Sequence, residues 1–256
     1  MTKNILMKKK IGLIGFGRAG KAVANVILQN EEFSLEWIYR QRALLEHRNA
    51  SEYLGVESDE PGIIFSSHTS IDEVIDKHPV DVIIDFSSPT GIYIYKDIAA
   101  EKGIIVISAI SHYKDEEKEI LKALSQKTVT FWSPNITLGV NYLLFVAKFL
   151  KKIAPWVDIE IIEEHFKGKE GVSGTAIKIA EALDLNKADI SSVRAGGIVG
   201  RHEILFGFPY QTVRLIHESI SRESFGNGAL FVAENLLHKK KGLYNFEDLL
   251  LPYFAT

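Results

Sequence analysis

The sequence predicts an α/β protein in two parts: a parallel sheet wrapped by helices, then a second α+β domain built on a mixed sheet. Three observations carry this. Up to residue 132, short apolar runs alternate with stretches of helical periodicity, the order that builds a doubly wound parallel sheet. The glycine-rich turn Gly15-Phe16-Gly17-Arg18-Ala19-Gly20 follows the first apolar run at once and opens a helix. After residue 183 the composition becomes strand-rich, with glycines at 196, 197, 200 and 207 between the runs.

A buried strand is expected over 10–14 and a helix over 21–28. Between them the GxGxxG pattern stands in the context that gives it meaning. Its first two glycines permit a tight turn and close backbone approach to a pyrophosphate, and its third lets helix and strand pack. Glycines also serve ordinary turns, but a strand before and a helix after favour a Rossmann-type dinucleotide site. A second strand is expected over 33–39. About 20 residues beyond the glycines, NAD-binding domains place an acid on the ribose hydroxyls. Here Arg40 stands instead, with Arg42 two residues on and no acid nearby. Guanidinium groups suit a 2′-phosphate, so NADPH is expected in preference to NADH, against the alternative of two solvated arginines. A helix over 72–77 precedes a strand over 80–86, which ends at Phe86 and the loop Ser87-Ser88-Pro89-Thr90, the right place for a ligand. Then come a helix over 94–102, a strand over 104–107, a helix over 115–126 and a strand over 129–132. Ser133-Pro134-Asn135 closes the region, and a long apolar-faced helix is expected over 140–153.

The chemistry concentrates after that helix. Val157, Ile159 and Ile161 alternate with Asp158 and Glu160, the two-residue period of a half-buried strand, which delivers Glu163 and His165 to its end. Ser173-Gly174-Thr175 then opens a helix with Ile177, Ala180 and Leu183 at helical spacing. The unpaired amides of that helix start attract an anion, with Lys169 as charge partner and His165 as proton donor just upstream. The combination suits a small carboxylate substrate. Taken singly, each residue has an ordinary reading as helix cap, structural histidine or solvated lysine, and the cluster by itself leaves the two readings evenly matched. Strands are expected over 192–199, 203–208 and 213–219, forming a mixed sheet of about four with the strand at 157–165. Apolar positions such as Ile198, Leu205 and Leu215 exceed what one helix over 176–183 can cover, so a second face is expected to meet another subunit. A helix over 228–237 ends in the cationic run 238–242, as the helix dipole favours. The expected division is residues 1–133 with 235–256 for the dinucleotide-binding domain, and 134–234 for substrate binding and oligomerisation.

Composition narrows the function. Of 256 residues, 46% are hydrophobic, enough for a substantial core, and the net charge of −3 argues against a polyanionic partner such as nucleic acid. Cysteine is absent, which excludes disulfides, thiolate ligands and cysteine nucleophiles and accords with a reducing cytoplasm. The eight histidines show no close metal-ligand spacing, and no metal is expected. No apolar stretch approaches a membrane span. Lys8, Lys9 and Lys10 before an apolar run imitate a signal peptide, but Gly12, Gly15 and Arg18 break that run and a first strand explains it better. Met7 offers an alternative start, which would make residues 1–6 a disordered extension.

The segments GFGRAG, DFSSPT, SPNITLGVN, EEHFKGKEGVSGTA, VGRHEILF and SISRESFGNGAL together resemble the dihydrodipicolinate reductase family of the lysine pathway, over nearly the whole chain. The resemblance implies a Rossmann domain coupled to a sheet-forming substrate domain, a last helix that returns to the first domain, and a tetramer assembled through the sheets. It implies reduction by NAD(P)H of a cyclic imine dicarboxylate derived from 4-hydroxy-tetrahydrodipicolinate. His165 would be the proton donor, Lys169 a catalytic and carboxylate-binding residue, Ser173, Gly174 and Thr175 the carboxylate cradle, and Asn135, with Ser133 beside it, part of a cofactor-contacting loop. Three departures stand out. Phe166 replaces a second histidine, Ser108-Ala109-Ile110-Ser111 replaces a GTTG loop, and Glu170-Gly171-Val172-Ser173-Gly174-Thr175 replaces DAPSGT. A same-fold reductase of another imine or oxo acid, or a silent nucleotide-binding protein, are the alternatives. A serine hydrolase is not, since GVSGT is no GxSxG elbow and no strand directly precedes it.

Overall fold

The structure, a computed structural model, describes residues 7–60 and 62–254. The extension expected over 1–6 therefore lies outside the described residues. The chain divides into two units, Met1–Thr137 with Phe225–Thr256, and Leu138–Ser224.

In the first unit β1 (Lys9–Ile14) leads through α1 (Arg18–Leu28) to β2 (Phe33–Arg40), then α2 (Ala50–Leu54), β3 (Ile63–Ser66) and α3 (Ile71–Lys77). β4 (Val82–Asp85), α4 (Ile92–Lys102), β5 (Ile105–Ser108), α5 (Asp115–Ser125) and β6 (Val129–Trp132) follow. All the pairings are parallel, in the order β6-β5-β4-β1-β2-β3. Strands covered by helices on both faces have no solvent side, which is why VIID of β4 reads as a continuous buried run rather than an alternation. The core on one face gathers Ile14, Trp37, Tyr39, Ile83, Tyr95 and Val106. Gly12 makes room for the largest of these: a Cβ there would lie 2.2 Å from the Trp37 ring. Burying each such apolar side chain contributes roughly 1.5–3 kcal/mol.

α8 (Glu223–Leu236), β11 (Gly242–Tyr244) and α9 (Phe246–Leu250) return to this unit. β11 extends the sheet beside β6, making seven strands. The division falls at 224/225 where 234/235 was expected from sequence. The reason lies in α8: a Cβ at Gly226 would meet Val26 of α1 at 2.6 Å, so the helix packs here along its length.

The second unit holds α6 (Leu138–Ile153), β7 (Asp158–His165), α7 (Gly174–Ala182), β8 (Ile190–Arg194), β9 (Arg201–Phe208) and β10 (Gln211–Glu218). Its four strands run in the order β10-β9-β7-β8, with β7–β8 parallel and the other pairs antiparallel, a mixed sheet as expected. One face packs Ile161, Ile204 and Phe206 against Leu143 and Ala147 of α6 and Ile179 and Ala180 of α7. Two corrections follow for the surplus apolar face. α6 shares the covering with α7, and Leu215 packs inside with this core rather than outside. Ile198 lies in a loop, because β8 stops at Arg194 where the expected strand continued; Gly196, at φ +47°, turns the chain away. The opposite face carries Ile162, Leu205 and a charge network in which Arg201 pairs with Glu164 and Glu203, and Arg214 also pairs with Glu203. Among the described residues no helix is long and apolar enough to cross a membrane.

Candidate active site

Two sites emerge, one in each unit. In the first, β1 and β4 are neighbours whose following helices depart in opposite directions along the sheet order, and a crevice opens at the carboxyl ends of such a pair. A cavity of about 610 Å³ lies there, lined by Gly15, Phe16 and Gly17, by Arg40 and Arg42, and by Phe86 with Ser87 and Ser88. Each glycine has its own task. Gly15 holds φ +97° and a Cβ on it would lie 2.7 Å from the Phe86 carbonyl oxygen, whereas a Cβ on Gly20 would lie 2.2 Å from the Gly15 carbonyl. Gly17 has no protein atom within 4 Å of where its Cβ would stand, and as N-cap of α1 it offers no side-chain cap. The helix start is thus open to an approaching pyrophosphate, and the residues present fit a dinucleotide. Arg18, Ala19 and Gly20 form the first turn of α1 rather than the cavity wall.

Ser133 and Asn135 also lie outside the lining. The Ser133 hydroxyl donates to the Asn135 carbonyl at 2.6 Å, and Asn135 Oδ1 accepts from the Thr137 amide at 3.0 Å, closing a tight turn after β6. Where the family's GTTG loop was expected, Ser108 is fully buried with its hydroxyl 2.9 Å from Tyr113 Oη, and Ile110 is packed into the core.

Under the loop after β4 sits Asp85, fully buried, accepting from the Ser87 amide at 2.8 Å, the Ser87 hydroxyl at 2.6 Å and Tyr95 Oη at 2.9 Å. Burial pushes its carboxyl up to about 6, and the neutral donors only partly offset that.

In the second unit the strand period puts Glu163 and His165 on the same face of β7, and the sheet register completes a polar row. Ser192 and His202 stand directly across from Glu163, and Arg194 across from His165. Glu163 is fully buried and His165 is 8% exposed. The Glu163 carboxylate pairs through Oε2 with His165 Nδ1, while Oε1 accepts from Ser192 Oγ at 2.6 Å and Arg194 Nη2 at 2.5 Å. Burial pushes Glu163 up, but the hydrogen bonds from Arg194, Ser192 and His165 outweigh it and bring the carboxyl down to about 2. Arg194 also donates to the backbone carbonyls of Lys169 at 3.0 Å and Gly171 at 2.5 Å, tying the loop that carries Lys169 to the same carboxylate.

His202 joins this row to α7. Its ring meets that of His165 edge-on at 5.3 Å between centroids, and its Nε2 lies 2.9 Å from Ser173 Oγ. Burial, then the nearby His165 and His217, bring His202 down to about 4, so it is neutral at neutral pH. The Ser173 hydroxyl, 3% exposed, already accepts from the Ala176 amide as the cap of α7. Its side chain is thus spent on the fold, and the helix start faces outward at Gly174, where a Cβ would meet nothing within 4 Å. Phe166 is 46% exposed. Sequence reasoning identified His165, Lys169 and the α7 cap but not the roles of Glu163, Ser192, Arg194 and His202. Among the described residues no cluster of three or more His, Asp or Glu side chains could hold a metal.

Models of the two domains of dihydrodipicolinate reductase match residues 9–136 (N-terminus) and 138–250 (C-terminus). The 4-hydroxy-tetrahydrodipicolinate reductase of Caldanaerobacter subterraneus subsp. tengcongensis is 32% identical, across 91% of this chain and 94% of its own. That of Thermosipho africanus is 34% identical, across 75% and 91%. In fold, the chain matches a dipicolinate-bound dihydrodipicolinate reductase from Paenisporosarcina sp. TG-14 with a TM-score of 0.78 at 22% identity, over 93% of this chain and 98% of that one. With the two domain models together matching residues 9–136 and 138–250, the chain belongs to the dihydrodipicolinate reductase family.

Proposed function

We propose that this protein reduces the cyclic imine dicarboxylate formed from 4-hydroxy-tetrahydrodipicolinate to tetrahydrodipicolinate, in lysine and diaminopimelate biosynthesis. The observation that carries the reading, beside family membership, is the buried His165 held by Glu163 and linked through His202 to the open start of α7. When bound, the reduced nicotinamide supplies a hydride to one end of the conjugated system. His165 supplies a proton at the other end, so that hydride and proton together add two electrons and two protons and complete the reduction. Histidine is the side chain that most often serves as a positioned acid in such a step. Lys169 and the Gly174 and Thr175 amides hold a substrate carboxylate, the amides aided by the helix dipole.

The first unit is the cofactor-binding domain and the second the substrate-binding domain in this reading. NADPH is the preferred cofactor, supported by Arg40 and Arg42 in the cavity wall; NADH is the second choice. Ser133 and Asn135 contribute by shaping the turn after β6. A homotetramer built through the outer face of the second sheet, in the cytoplasm, completes the proposal. Phe166 in place of a histidine favours one rival, a same-fold reductase acting on an imine with a less polar flank. NADPH oxidation with enzymatically generated pathway substrate separates the two. Turnover on that substrate supports the proposal, and turnover only on other imines or oxo acids favours the rival.

A further inference from the structure

We propose that Glu163 is a positioning residue: clamped by Arg194 and Ser192, it holds the proton of His165 on Nδ1 and so reserves Nε2 for the substrate. This rests on the reading of His165 as proton donor. The geometry argues it in three steps. Both donors to Glu163 Oε1, Ser192 Oγ and Arg194 Nη2, are fixed on β8, so the second oxygen points at His165 Nδ1. A carboxylate accepts and never donates, so Nδ1 carries a hydrogen in the neutral ring and in the imidazolium alike. On the other edge of the ring, glycine at 200 withholds a Cβ that would lie 3.1 Å from Nε2.

After the imidazolium gives its Nε2 proton to substrate carbon, the ring is left as the neutral Nδ1–H form, already hydrogen-bonded to Glu163. No proton has to move before the next cycle except the one that reloads Nε2. The charged and titratable groups around the ring are Glu163 on β7, Arg194 on β8, His202 on β9 with His217 beyond it on β10, and Lys169 on the loop. Of these, Glu163 alone is negative. Arg194 couples the parts, because its guanidinium also holds the carbonyls of Lys169 and Gly171.

Glu163→Gln tests this sharply. Ser192 and Arg194 both donate, so they keep the amide oxygen and turn the NH₂ group toward His165 Nδ1. That forces the Nε2–H tautomer and opposes the imidazolium. Long-range proton–nitrogen spectra of histidine-labelled protein, taken where the ring is neutral, should show Nδ1–H for His165 in wild type and Glu163→Asp, and Nε2–H in Glu163→Gln. In the same variant kcat should fall by about 10²-fold or more while KM moves by only about threefold, and the alkaline limb of the rate profile should move to lower pH. Glu163→Asp should keep that limb in place. A wild-type ring carrying its proton on Nε2 overturns the proposal even if Glu163→Gln does not fold. An unchanged tautomer, or equal losses in both variants with the limb unmoved, also overturns it. Should the wild type fail to turn over the pathway substrate, the functional reading falls and the spectra still decide the positioning role.

Discussion

Asp85 in the first unit and Glu163 in the second are both carboxylates at the ends of sheet strands, and both are fully buried. Their affinities for a proton nevertheless diverge, Asp85 pushed up to about 6 and Glu163 brought down to about 2. The partners decide. Asp85 meets an amide and two hydroxyls, all neutral, whereas Glu163 meets the Arg194 guanidinium and an imidazole. Burial alone therefore does not tell a structural carboxylate from one built to stay charged. The first holds the loop beside the cavity of the first unit, and the second faces His165.

The largest expected effect separates the two. Arg194→Met leaves the Glu163 charge buried without its cation and should cost about 3–5 kcal/mol by chemical denaturation. Asp85→Asn keeps acceptors and donors among neutral partners and should cost only about 0.5–1.5 kcal/mol. Equal losses would break the comparison.

Acid sharpens it with opposite signs. Glu163 ionises more readily folded than unfolded, so its stability contribution is present above the ordinary 4.5 and is lost as the pH falls toward about 2. His202 refuses a proton that the unfolded chain accepts, so stability also falls as the pH drops from 6.5 to about 4. Asp85 retains a proton that the unfolded chain has lost, so between 3.8 and about 6 its contribution grows on acidification. Thermal melts of Asp85→Asn should consequently lose stability more steeply than wild type as the pH falls through that window. A shallower loss would contradict the assignment.

Smaller effects belong to the cofactor side. Arg40→Ala should raise the Michaelis constant for NADPH by about tenfold and leave NADH nearly unchanged, since one charge-assisted phosphate contact contributes about 1.5–3 kcal/mol. Equal losses for both cofactors would refute the phosphate role. Phe166→His is the mildest test, expected to improve binding of the dicarboxylate; no gain would show that the exposed ring is compensated elsewhere.

What could be read before folding follows from range along the chain. Periodicity located β1, β2, β4, β7 and the long helix α6, because each carries its pattern within a single run. β11 escaped because three residues are too few to show a period, and β3 was not expected although its run IIFS is as long as VIID of β4. α9 escaped too, although Asn245 and Asp248 form a capping box that a search for helix starts would have found. At the site, His165 and the α7 cap were legible because strand end and helix start are local signals. Glu163 was visible on the strand, but its clamp was not: Ser192 and Arg194 lie 29 and 31 residues away and arrive only through the parallel register of β7 with β8. The placing of Arg40 and Arg42 at the first unit's cavity was legible for the opposite reason, since β2 ends at Arg40 and Arg42 follows in its loop.

The most direct test of the whole account is the rate of NADPH oxidation on enzymatically generated pathway substrate, wild type against His165→Ala. The account predicts robust turnover in the wild type and a kcat lower by roughly 10²–10⁴-fold in the variant, with a modest change in substrate affinity, as for removal of a positioned general acid. Lys169→Ala in the same assay should damage both kcat and KM, because a carboxylate partner also holds the ground state. Wild-type turnover in His165→Ala would contradict the mechanism outright.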